Sequence, residues 1–386
     1  MTDTPPIRSA SALSAANRAA LAHVRARAER TRRRDLARIR RVLREAGIAA
    51  DPDALCDGLR RVASVTVNFH PDRVASDGRP VAAALAADGV YRSQFETRIS
   101  NGGLTAYPGG ERDRWEARLF GGAYQARGIT SAERPRYAGL DLLGFANGAC
   151  PRFGSCHLRL APSALERATF FVGDSVLLPE DGGVLERLEP VLAGLLERIA
   201  RGDELGRPLT VAALVGRLLD SGDGAFAVPV MSHALDGYIE AQIHGPIALE
   251  TDVEAVVLDP SFRGTSPGDA LLAAARRHGL RVGWHAGSRL TADAIPTAVP
   301  PAPEPRRWRD FCAAGRAARL AGMVIERFAA DGTHLDAAAI GRAAVSVVRE
   351  PAAWQPWEDA EDPLTRLKDL WHLLVIYGRP VAEEAG

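Results

Sequence analysis

The segment from Gly237 to Pro260 sets Glu240, Gln242 and His244 at alternating positions, with Tyr238 in the same phase. A strand's two-residue period puts these side chains on one face and Ile239, Ala241 and Ile243 on the other. A carboxylate flanked by an amide and an imidazole can hold a ribose hydroxyl or stabilise a developing cation. A strand with one solvated face alternates in the same way, so spacing alone leaves both a site and a polar outer surface open. Three different polar functions ahead of an abrupt Gly245-Pro246 stop favour the site.

A second stretch, "DGVYRSQFETRISNGG" at residues 88–103, carries Tyr91, Arg92, Ser93 and Asn101. An arginine on a strand beside a glycine turn can clamp a diphosphate while backbone N–H groups come close. No G-x-G-x-x-G or Walker pattern occurs, so neither a Rossmann nor a P-loop site is supported. In "PRFGSCHLRL", Ser155 and His157 share one strand face, where a hydroxyl can hold a ribose or a neighbouring carboxylate. No G-x-S-x-G context surrounds Ser155, which argues against a nucleophile elbow.

The remaining acids and imidazoles include His70, Asp72 and Arg73 of "FHPDR", then Asp174, Asp259, Arg263 and His285. They could supply His and Asp ligands to a metal, although no pair has helical ligand spacing. A metal-dependent hydrolase built on His70, Asp72, His157 or His244 therefore stands as an alternative. The cluster "CPRFGSCH" lacks a second paired set, so Cys56, Cys150, Cys156 and Cys312 read as buried thiols with no metal bound.

These groups sit in a chain of 386 residues with a formal net charge of +0 and 25% charged residues. That is an ordinary globular composition, and its neutral balance argues against general nucleic-acid binding. Nearly all basic residues are arginine. The single lysine, Lys368, falls on a helical tail, which argues against Schiff-base chemistry. No run approaches the ~20 apolar residues of a membrane span. The first residues lack the apolar core of a Sec signal, so the expected location is cytoplasmic; specialised secretion leaves no such mark.

The positioning elements follow from periodicity. Residues 1–55 read as a basic helical arm, with Leu36, Ile39, Val42 and Leu43 on one stripe and Gly47 as its stop. Such an arm could dock an acidic partner, which makes a non-catalytic interaction protein a further alternative. Residues 56–290 read as an α+β core of short strands and helices, with 183–221 helical by period. Residues 291–306 form a proline-rich connector, and 307–386 a helical C-terminal segment. Strands and helices do not alternate regularly, which argues against a doubly wound parallel sheet.

The phrases "TVNFHPDR", "DGVYRSQFETRISNGGLTAYPGGERDRWEARLFGGAY", "RPRYAGLDL", "PRFGSCHLRL" and "DVEAVVLDPSFRGT" resemble an uncharacterised bacterial domain family of unknown function over about residues 60–290. More remotely, the order of parts is similar to the Arg-Ser-Glu class of mono-ADP-ribosyltransferases. That resemblance implies a split-sheet fold, NAD as substrate, and a protein or other macromolecular acceptor, as for a bacterial toxin or effector. It also implies that Arg92 holds NAD, Ser155 supports the site and Glu240 orients the nicotinamide ribose. Two departures are visible: Gly154-Ser155-Cys156 replaces Ser-Thr-Ser, and Glu240-x-Gln242 reverses the usual Gln/Glu-x-Glu pair.

Overall fold

A computed structural model describes residues 13–99, 106–202, 205–220, 230–233, 235–298, 306–355 and 361–381. Among the described residues, ten strands form in chain order. They are β1 (Ser64–Phe69), β2 (Val90–Tyr91), β3 (Arg136–Asp141), β4 (Cys156–Leu160) and β5 (Ala168–Val172), then β6 (Gly182–Val184), β7 (Ile239–Ile243), β8 (Ile247–Ala248), β9 (Val253–Leu258) and β10 (Arg281–Trp284). Eight make one sheet in the order β10-β9-β4-β1-β3-β7-β5-β6, while β2 and β8 form a separate ribbon. Among the described strands, only β9 and β10 pair in parallel, with the helix Ser266–His278 between them in sequence. The fold is α+β with a mixed central sheet and helical segments at both ends. Its main strands pair as one continuous sheet, where the resemblance implied a split one.

The position of β7 follows from its composition. Isoleucine and alanine on one face, and residues able to pair internally on the other, suit a strand covered on both sides. It lies between β3 and β5, with all five residues buried. Ile239, Ala241 and Ile243 join a large apolar core with Phe170 and the helix Glu189–Ala200. The opposite face meets Phe120, Tyr124 and Phe171, which pack with Ala16, Ala20 and Val24 of the long N-terminal helix.

That helix, Ala15–Glu45, begins with a reciprocal cap between Ser14 and Asn17 and buries the Leu36, Ile39, Val42 and Leu43 stripe. It packs along β6, covering a sheet edge that would otherwise offer free backbone groups. Part of its basic charge is paired within the chain. Arg38 binds Asp181 at 2.6 Å and Glu197 at 2.7 Å, and Arg32 binds Glu189 at 2.8 Å.

Two local expectations need correction. The stretch around Arg92 is a strand only at Val90–Tyr91, because Ser93 and Glu96 cap a short helix, Gln94–Thr97. Residues 183–221 are not helical throughout. Gly182–Val184 pairs as the edge strand β6, and the helices are Glu189–Ala200, which carries Pro190 in its first turn, and Val211–Leu219. Small residues explain the first part: a Cβ at Gly182 would lie 2.2 Å from the Phe171 ring, so only glycine lets the strand approach.

At the C-terminal end, the helices Arg306–Ala313, Arg316–Phe328, Ala337–Arg349 and Pro363–Tyr377 pack together and onto the sheet. Trp371 ties the last of them down by donating its indole N–H to the carbonyls of Pro151 (3.0 Å) and Arg152 (3.2 Å). Among the described residues, no helix is long and apolar enough to cross a membrane.

Candidate functional site

The row on β7 is interior. Glu240 is 4% exposed, and Gln242 and His244 are fully buried. Register explains the fit around Glu240, which lies between Gly139 on β3 and Phe171 on β5. A Cβ on Gly139 would come within 2.3 Å of Cys150 Sγ, so the missing side chain lets the Cys150 loop close over the sheet beside the carboxylate.

Both oxygens of Glu240 are held. Gln242 Nε2 donates to Oε1 at 2.7 Å, and the Ser175 backbone N–H donates to Oε2 at 3.2 Å. Arg112, itself buried, donates to Ser175 Oγ at 2.7 Å and lies over the Tyr137 ring at 4.4 Å. Burial, and then the nearby Asp174 carboxylate, raise Glu240 to about 7, against the opposing pull of Arg112. A carboxyl group poised there can change charge near neutral pH.

Glu240 opens onto a cavity of about 210 Å³. The turn after β1 supplies His70, Asp72 and Arg73; the end of β2 and the corner after it supply Tyr91 and Arg92. Arg112, Tyr137, Cys150 and Phe153 lie in the same lining, and the C-terminal helices contribute Ile340, Gly341, Lys368 and Trp371. Six of the described lining side chains are Arg or Lys, against the two acids Asp72 and Glu240. Arg92, Arg136 and Arg152 are also ion-paired to carboxylates outside the lining, and with the aromatic rings the wall can take an anionic ligand with a flat aromatic part.

The groups on the far wall are also perturbed. Burial brings Asp72 up to about 7 and, together with the Arg73 charge, takes His70 down to about 3, so His70 is a neutral imidazole. His70 meets the Trp371 ring edge-on at 4.9 Å. Elsewhere in the interior, Glu116 is raised to about 7 by burial, opposed by Arg134 at 2.8 Å.

The sequence candidates divide between cavity and scaffold. Tyr91, Arg92 and Glu240 share the lining. Arg92 reaches it while bound to Asp77 at 2.7 Å and Asp88 at 2.6 Å. Ser93 is buried and works as a cap: its hydroxyl accepts from Glu96 N–H and donates to the Ser131 carbonyl at 2.7 Å, which fixes the corner that presents Tyr91 and Arg92. Ser155 is buried outside the lining, and its hydroxyl oxygen has no hydrogen-bond partner among the described groups. Gln242 and His244 also lie outside it, behind Glu240. Asn101 lies outside the described residues.

Lys368, read from sequence as part of a remote tail, is on the cavity wall. No local signal announces this, because the helix Pro363–Tyr377 reaches the site by folding across almost the whole chain. The proposed metal ligands do not assemble. His70 and Asp72 line the cavity whereas His157 and His244 do not, and no group of three or more His, Cys, Asp or Glu among the described residues is arranged to hold an ion. The four cysteines are free and buried.

A comparison with curated proteins finds no match. A family model does match, over residues 64–377, and its range takes in every strand of the sheet and all of the cavity lining. The chain belongs to that family, the proteins of unknown function designated DUF3626.

Proposed function

We propose that the cavity binds NAD and that the protein transfers its ADP-ribose unit to a macromolecular acceptor. One observation carries this reading: Glu240, a buried carboxylate fixed at both oxygens, faces a cavity otherwise rich in cations and aromatic rings. The parts of NAD match those features. Its diphosphate suits Arg92, Lys368 and Arg73, and its nicotinamide suits the faces of Tyr91 and Tyr137. His70, uncharged, can hydrogen-bond a ribose hydroxyl without repelling a cation.

In the reaction, the bond between the ribose C1′ and the nicotinamide nitrogen breaks. Its electron pair leaves with nicotinamide and neutralises the pyridinium. The ribose is left as an oxocarbenium-like centre, which ionised Glu240 stabilises. The acceptor's nucleophile then bonds to C1′ and releases a proton. The support that the resemblance gave to Ser155 falls here to the Gln242 amide and the Ser175 N–H, which hold the carboxylate directly.

Calorimetry with NAD tests occupancy. The wild-type protein should bind NAD, Glu240→Gln should bind it within about threefold of wild type, and Lys368→Glu should weaken binding by at least about tenfold. Absence of NAD binding by the intact wild-type chain would dismiss the reading.

A further inference from the structure

The polar row of β7 continues behind Glu240 into a chain of hydrogen bonds that ends on the N-terminal helix. Because Gln242 Nε2 donates to Glu240, the amide oxygen of Gln242 faces Thr169, whose hydroxyl donates to it at 2.6 Å. A hydroxyl has one proton, so Thr169 Oγ1 must accept from its other neighbour, His244 Nε2, at 3.1 Å. His244 therefore carries its proton on Nε2, and its Nδ1 accepts from the Tyr124 hydroxyl at 2.6 Å. The Tyr124 oxygen in turn accepts from Asn17 Nδ2 at 3.0 Å. That amide also donates to the Glu133 carbonyl at 2.8 Å, which anchors the far end.

Every link in the series thus has an assigned donor and acceptor, and the polarity runs one way from Asn17 to Glu240. All six side chains are buried, and the four between the ends are absent from the cavity lining. Burial and the Arg167 charge keep the His244 imidazole neutral, which the series requires. Packing holds the ring in place: Phe120 meets it edge-on at 5.2 Å and the Tyr124 ring lies parallel to it.

We infer that the N-terminal helix is a positioning element of this centre: Asn17, acting through Tyr124, His244, Thr169 and Gln242, fixes the His244 tautomer and the orientation of the Glu240 carboxylate. This rests on the reading of Glu240 given above. It places a determinant of the site at residue 17, outside the family-matched residues 64–377.

The test combines a spectroscopic and a kinetic arm on the full chain. Nitrogen-15 NMR of histidine-labelled protein should show His244 as the neutral Nε2–H tautomer between about pH 5 and 8. Thr169→Val removes both the donor and the acceptor at the middle of the series. It should lower kcat for nicotinamide release about tenfold with KM for NAD within about twofold, and Thr169→Ser should restore it. An Nδ1–H or protonated His244 overturns the inference, as does a folded Thr169→Val protein with wild-type kcat. If Thr169→Val fails to fold, the wild-type tautomer decides. The NMR arm needs no turnover, so it separates failure of this inference from failure of the NAD reading.

Discussion

The Asp72 carboxylate occupies the space that a side chain on Gly341 would need. A Cβ built there would lie 1.4 Å from Asp72 Oδ2. Gly341 is inside the helix Ala337–Arg349, where glycine is intrinsically unfavourable, so the close approach is the physical reason for finding it there. Both residues line the cavity, and their contact sets how tightly the C-terminal helices close over the turn after β1.

Gly341→Ala should therefore destabilise the fold by about 1–3 kcal/mol in urea titrations, despite its better helix propensity. Combining it with Asp72→Ala should cost less than the sum of the two single changes, because the second removes the clash. Additive effects would mean that the two residues do not meet.

Glu240, raised to about 7 chiefly by burial, sets two pH dependences. The proposed chemistry needs ionised Glu240, so nicotinamide release should rise with pH through about 7 and level off above it. Stability should move the opposite way. A folded-state value above the ordinary 4.5 of Glu240 means the folded form holds the proton more tightly. That contribution is complete below the unfolded value and is lost as pH rises through about 7. Melting temperatures of wild type and Glu240→Gln, compared at pH values of about 5 and 8, should show the variant gaining relative to wild type at the higher pH.

Lys368→Ala should raise the dissociation constant for NAD about tenfold, since it removes a cation from the cavity wall. The difference between variant and wild type should shrink as salt increases. Equal affinities at low salt would remove Lys368 from the ligand-binding wall.

A fragment comprising only residues 64–377 should fail to fold. It lacks Leu36, Ile39, Val42, Leu43 and Leu59 of the main core, and it leaves the β6 edge uncovered. Size-exclusion chromatography and near-ultraviolet circular dichroism would check this; a monomer with native tertiary signal would contradict it.

Much of the architecture is legible because local signals and tertiary packing agree. The stripe on the N-terminal helix, the strands around "VTVNF" and "EAVVL", and the helix closed by Gly89 all form as their patterns imply. Glu240 stands out by its neighbours on β7, but alternation could not reveal that its face is covered, because Phe120 and Tyr124 arrive from more than a hundred residues away. Ser93 illustrates a signal present and missed. The spacing Ser93-x-x-Glu96 is a helix-capping pattern, and it turns the chain immediately after Arg92. Lys368, Trp371 and the Asp72–Gly341 contact have no local signature, since each depends on a late helix docking against the turn after β1.

The central claim is tested most directly by incubating the purified 386-residue chain with NAD and quantifying free nicotinamide for wild type and Glu240→Gln. The account predicts release by wild type and a loss of at least about a hundredfold in the variant, whose neutral amide cannot stabilise the developing cation. Equal release by the two proteins would contradict it.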